Sequence, residues 1–154
     1  MSLWLRVFGK NDVQPEPAAL LEYVRSICPE ATGHFRGDDQ GWFAAELAFA
    51  AGETPLHLER FLSSEEGIRA ELNAWAAWLE TCDYSPNHQR LMEHMVGTKQ
   101  LFTVRRPIDH ANEILVEELC VGLCRLLART TDGVYQADNQ GFFAADGTVL
   151  LQEY

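Results

Sequence analysis

Apolar residues recur with two different periods along this chain, and the changes of period predict an alternation of strands and helices. Over 2–8, Leu3, Leu5 and Val7 fall on one side of an extended segment and Trp4, Arg6 and Phe8 on the other. Both sides are mostly apolar, so the pattern predicts a central strand. Pro15 and Pro17 pre-set a first helical turn, Ala18, Leu21, Val24 and Cys28 supply a buried stripe, and Pro29 ends it. A hairpin is expected next, with strands near 32–37 and 41–50. Its second strand alternates, pointing Phe43, Ala45, Leu47 and Phe49 at a core and Trp42, Ala44, Glu46 and Ala48 away from it. A further strand at 56–62 carries His57 and Glu59 on its outer face.

The period then lengthens. Ser63 and Glu66 have capping-box spacing, and Ile68, Leu72, Trp75 and Leu79 follow at helical intervals with Trp78 on the flank. Two tryptophans in one short helix need a large apolar partner. Ser85 and Pro86 predict a second helical start, with Leu91, Met92, Met95 and Val96 as its apolar side and Gly97 as its stop. A strand at 99–105 leads to Pro107, the expected start of the longest helix, which is apolar over most of its circumference. Gly122 inside that helix predicts close approach of a neighbour, since otherwise Gly costs about 1 kcal/mol relative to Ala. A second hairpin follows, and Asp146-Gly147 turns the chain into a last strand over 148–153.

One stretch occurs nearly twice. Asp38-Asp39-Gln40-Gly41-Trp42-Phe43-Ala44-Ala45 is echoed one hundred positions later by Asp138-Asn139-Gln140-Gly141-Phe142-Phe143-Ala144-Ala145. Asp at the first position of a turn bonds its own backbone, and Gly at the fourth takes positive φ where the strand resumes. Hairpin convergence explains the Asp and Gly, whereas the shared Gln and Phe-Ala-Ala point to duplication. The expectation is one α+β domain of two pseudo-symmetric β-α-β-β-β modules, 1–62 and 98–154, forming mainly antiparallel sheet packed by helices. A helical pair over 63–97 is inserted between them.

Paired modules of this order resemble the vicinal oxygen chelate architecture of glyoxalase-like proteins. The resemblance implies metal ligands on the first and last strands of each module. Here the first strands, 2–8 and 99–105, hold no His, Asp or Glu, and only His57, Glu59 and Glu153 lie on the last ones. Neither a metal nor a cofactor is therefore expected.

Charge narrows the partners. The net charge is −11, from 23 acidic and 12 basic residues scattered along the chain. Such a field repels nucleic acid and anionic membranes and favours a basic protein partner, although acidity also serves solubility. No run of about 18 apolar residues occurs, and no signal-peptide pattern. Cys28, Cys82, Cys120 and Cys124 lie in or beside apolar helical patterns, as reduced core residues of a cytoplasmic protein would.

Candidate chemistry is sparse. His88 and His94 are spaced too widely to share a helical face. His110, Glu113 and Glu117 do share one, either as the polar stripe of a buried helix or as groups able to hold a metal or act as acid and base. Cys120 and Cys124 stand one turn apart without a second pair. Arg105 and Arg106 precede a helix start, where backbone N–H groups favour anions. Two functions remain. The first is a non-catalytic interaction protein engaging a basic partner through Asp38, Asp39, Trp42 and Glu46. The second is a small-molecule binder or enzyme using His57, Glu59 and Arg105 in a cleft between the modules.

Overall fold

The computed structural model describes residues 3–109 and 111–154, which leaves Ser2 of the expected first strand and His110 outside it. In chain order its elements are β1 (Trp4–Gly9), α1 (Pro17–Ile27), β2 (Thr32–Asp38), β3 (Gly41–Ala48), β4 (Leu56–Leu62), α2 (Ile68–Glu80) and α3 (His88–Val96). There follow β5 (Gln100–Arg105), α4 (Glu113–Thr130), β6 (Val134–Ala137), β7 (Gly141–Ala144) and β8 (Val149–Gln152). The strands form one antiparallel sheet in the order β2-β3-β4-β5-β1-β6-β7-β8. As its two apolar faces predict, β1 lies inside the sheet, between β5 and β6.

The pleat divides the core into two layers. Leu5, Val7, Leu47, Leu58, Phe102 and Val104 point to one face, where α1 and α4 cover them with Leu20, Val24, Leu119 and Leu123. Phe8, Leu101 and Phe142 point to the other, under Leu72 and Leu79 of α2 and Leu91 and Met95 of α3. Those two helices cover only part of their face. Beyond them the sheet carries a polar row across adjacent strands, His34, Glu46, His57 and Arg105, ending on Trp4.

The strand order departs from an approximate dyad between the two echoed hairpins. β2 is a sheet edge whereas β6 sits beside the interior strand β1. The turns also differ, because Asp38 pairs with Gly41 in the first hairpin while Ala137 pairs with Gly141 in the second, making that loop one residue longer. Trp42 and its sequence counterpart Phe142 end on opposite faces of the sheet. The two turns do share a glycine conformation, since Gly41 and Gly141 both take positive φ, 104° and 135°.

The side chain of Trp42 is likewise inverted relative to simple alternation. The β2–β3 register slips between Arg36 and Gly37, so that Arg36 opposes Ala44 and Gly37 opposes Trp42. Phe43 is the extra residue of this bulge. It turns outward, 44% exposed, and Trp42 turns into the α1/α4 layer, 3% exposed. Glycine is required opposite: a Cβ on Gly37 would lie 2.6 Å from the Gly41 carbonyl oxygen.

Three helix starts fall later than their sequence signals; α3 begins at His88 after Asn87, beyond the expected Ser85 and Pro86 start. α2 begins at Ile68 after Gly67 at φ 84°, and α4 begins at Glu113 after Asn112, whose side chain accepts a 3.0 Å bond from the Leu115 N–H. The true cap of α4 is therefore Asn112, and Pro107 belongs to the preceding loop.

Candidate functional site

The hairpin residues expected to form a docking patch do not share a surface. Asp38 and Asp39 are exposed at the turn, where the Asp38 carboxylate accepts a 2.8 Å bond from the Gln40 N–H. Trp42 is a core residue. Its indole N–H donates to the Pro15 carbonyl at 2.8 Å, and its ring packs edge-on to Phe35 and beside Phe102. Glu46 faces the other side of the sheet, beside His57. An exposed aromatic anchor at position 42 is thus excluded by the bulge.

Arg60 supplies the polar support of that region, on the inner face that alternation assigns it. In phase with Leu56 and Leu58 it points inward, where its guanidinium donates to the Gln100 side chain at 2.8 Å and to the Trp42 carbonyl at 3.0 Å. Gln100 in turn donates to the carbonyls of Asn11 and Val13 at 2.9 and 2.7 Å, tying the β1–α1 loop to the sheet. These bonds offset the burial of a charge. Desolvation lowers the Arg60 pKa from its ordinary value, partly countered by Glu65 and Asp38.

His57 and Arg105, taken from separate stretches of sequence, do meet. They are direct cross-strand partners on β4 and β5, and both line a recess of about 640 Å³ with Trp4, Pro55 and Pro107. The Arg105 guanidinium lies 5.6 Å from the centre of the Trp4 ring, and His57 Nδ1 is 3.8 Å from Glu46. Glu59 stands one row along the sheet, opposite Thr103, and does not line the recess. The recess is electrostatically mixed, since Glu46 and Asp109 face the same space as Arg105.

A second concavity, of about 440 Å³, opens between α2 and the ends of β6 and β8. Glu71, Trp75 and Trp78 form one stripe of α2 at i, i+4 and i+7, and face Gln136, Asp138 and Glu153. Both indoles are half-buried. Trp75 is held edge-on by Phe8, Phe142 and Trp78, while Trp78 stacks on Phe142 with an interplanar angle of 27°. Opposite them, Asp138 pairs with Arg6 at 2.6 Å, and that guanidinium lies 5.2 Å from the Trp75 ring centre. Glu153 accepts a 3.2 Å bond from the Asn139 N–H, which fixes the β6–β7 turn against the end of β8. Arg6 neutralises Asp138, whereas neither Glu71 nor Glu153 has an ion-pair partner among the described residues. The cleft is aromatic at its wall and negative at its rim. Its sequence signal was the Glu71–Trp75–Trp78 spacing, which assigns a carboxylate and two indoles to one helix face.

The other constellations are structural. His94 is half-buried, with Nε2 2.8 Å from the Phe8 carbonyl, and burial lowers its pKa. His88 meets the Ser85 carbonyl at 2.9 Å. Glu117 pairs with the buried Arg106 at 2.9 Å, Glu113 is exposed, and His110 lies outside the described residues. All four cysteines are free; burial pushes the Cys120 thiol up to about 12 and raises that of Cys124 well above its usual value. Such thiols are neutral and poor nucleophiles. Among the described residues, no group of three His, Cys, Asp or Glu side chains has metal-holding geometry, and no helix is long and apolar enough to cross a membrane.

Comparison with protein-family models, curated proteins and solved structures finds no match to this chain. The geometry of its clefts is what bears on function.

Proposed function

We propose that this chain is a non-catalytic interaction protein whose Trp75–Trp78 cleft docks a protein partner with a basic surface. The observation that carries this reading is the pairing of two half-buried indoles with Glu71 and Glu153 in one cleft. Interface hot spots favour tryptophan set in a largely desolvated pocket, with a polar rim that excludes water. A net charge of −11 adds long-range attraction for a basic partner and repels nucleic acid. The proposal assigns the protein to the cytoplasm, a reducing compartment that suits its four free cysteines.

The test is to capture the partner from native lysate, purify it and titrate it against the wild type, Trp78→Ala and Glu71→Gln. Trp78→Ala is expected to weaken binding by about 30-fold, the scale of a hot-spot tryptophan. Glu71→Gln should weaken it less and flatten its dependence on salt. Unchanged affinity in a folded Trp78→Ala protein would rule the cleft out.

A small-molecule role is favoured by a separate observation, the meeting of His57 with Arg105 beside Trp4 in the larger recess. It requires a metabolite that raises the melting temperature of the wild type and loses that effect on Arg105→Ala. A full metabolite screen without such a shift would dismiss it.

A further inference from the structure

We infer that the partner group received by the Trp75–Trp78 cleft is an arginine side chain, its guanidinium lying against Trp78 with Glu71 and Glu153 as acceptors. This rests on the docking role proposed above and deepens it from a basic surface to a particular chemical group. The protein itself displays the arrangement once already. Arg6 lies with its guanidinium carbon 5.2 Å from the Trp75 ring centre while Nη1 donates to Asp138 at 2.6 Å and to Gln136 at 2.9 Å. Gln136 also donates to Asp138 at 2.9 Å, holding that carboxylate in position. An indole, a carboxylate and a guanidinium are thus combined inside the fold, and the cleft continues the same chemistry outward. Trp78 follows Trp75 along α2, and Glu71 and Glu153 supply carboxylates without ion-pair partners among the described residues.

A planar guanidinium can lay its face on an indole while the N–H groups at its edge reach carboxylates in the same plane. An ammonium points its three donors tetrahedrally and is more strongly hydrated, so it meets one requirement at the expense of the other. Arg6 does not oppose the incoming cation, because Asp138 already neutralises it.

The experiment compares two soluble peptides of equal length and charge, one with four arginines separated by Gly-Ser pairs and the other with four lysines. Affinity for the whole protein is measured by titration calorimetry at low and at physiological salt. The arginine peptide is expected to bind about two- to fivefold more tightly, the scale of an exposed cation–π contact. Trp78→Ala should abolish that gap while leaving a weaker, salt-sensitive affinity for both peptides, and Trp78→Phe should restore part of it. Glu71→Gln combined with Glu153→Gln should weaken both peptides alike. Equal affinities in the wild type, or a gap that survives Trp78→Ala, would overturn the guanidinium assignment and leave acidic docking standing. If neither peptide binds, the assignment and the docking role fall together.

Discussion

Trp42 has its ring enclosed by Phe35 and Phe102 and its indole N–H spent on Pro15, so its substitution acts on the fold before any surface. Trp42→Ala is expected to cost about 3–5 kcal/mol in a denaturant titration, as for other large-to-small core changes. A cost below about 1 kcal/mol would place the ring outside the core. His94 gives a pH prediction. Burial, with the positive charges of Lys10 and Arg90, lowers its folded pKa, and the bond to the Phe8 carbonyl and the charge of Asp132 partly counter it. The unfolded chain takes up a proton near pH 6.5, before the folded protein does. Stability from this group is therefore complete above about pH 6.5 and lost as pH falls below it, toward the folded pKa. His94→Gln, which keeps a donor for Phe8, should flatten that loss in pH-dependent denaturation midpoints. An identical acid limb in the variant would show that other groups cause it. Neither position was legible in the sequence for one reason: alternation and helical spacing assign faces, but a one-residue bulge or a crossing element reassigns them.

At the scale of elements, α4 illustrates what composition does convey. Its nearly continuous apolar surface predicted burial on several sides, and Gly122 predicted a close neighbour. That neighbour is Tyr23 of α1, whose hydroxyl would lie 1.6 Å from a Cβ at position 122 and which donates to the Glu118 carbonyl. Gly122→Ala is accordingly expected to destabilise by about 1–3 kcal/mol, the usual cost of overpacking. In a Tyr23→Ala background the same change should become neutral or stabilising by up to about 1 kcal/mol, as helix propensity takes over. The double-mutant cycle checks both signs, and additive effects would mean that the two helices do not touch there. The start of α4 was less legible, because a proline at 107 and an asparagine at 112 are both acceptable first-turn signals. The 106–109 loop lies along the His57 recess, and Asn112 caps the helix.

For the whole molecule, the order of strands and helices could be read from the sequence, whereas their arrangement in the sheet could not. The two Asp-x-Gln-Gly stretches share a glycine at positive φ, and long-range pairing of β1 with β5 and β6 sets the two copies in different positions. The same pairing brings His57 beside Arg105, and brings Asp138 opposite Trp75 and Trp78 across more than fifty residues of chain. The four tryptophans are consequently dispersed: Trp4 in the recess, Trp42 in the core, and Trp75 and Trp78 in the acidic cleft. A two-dimensional NMR spectrum of the indole N–H groups, recorded while the arginine peptide is added, therefore reports on each location separately. The signals of Trp75 and Trp78 are expected to shift while those of Trp4 and Trp42 stay in place. Movement of the Trp4 signal with Trp75 and Trp78 unmoved would contradict the account and transfer binding to the recess.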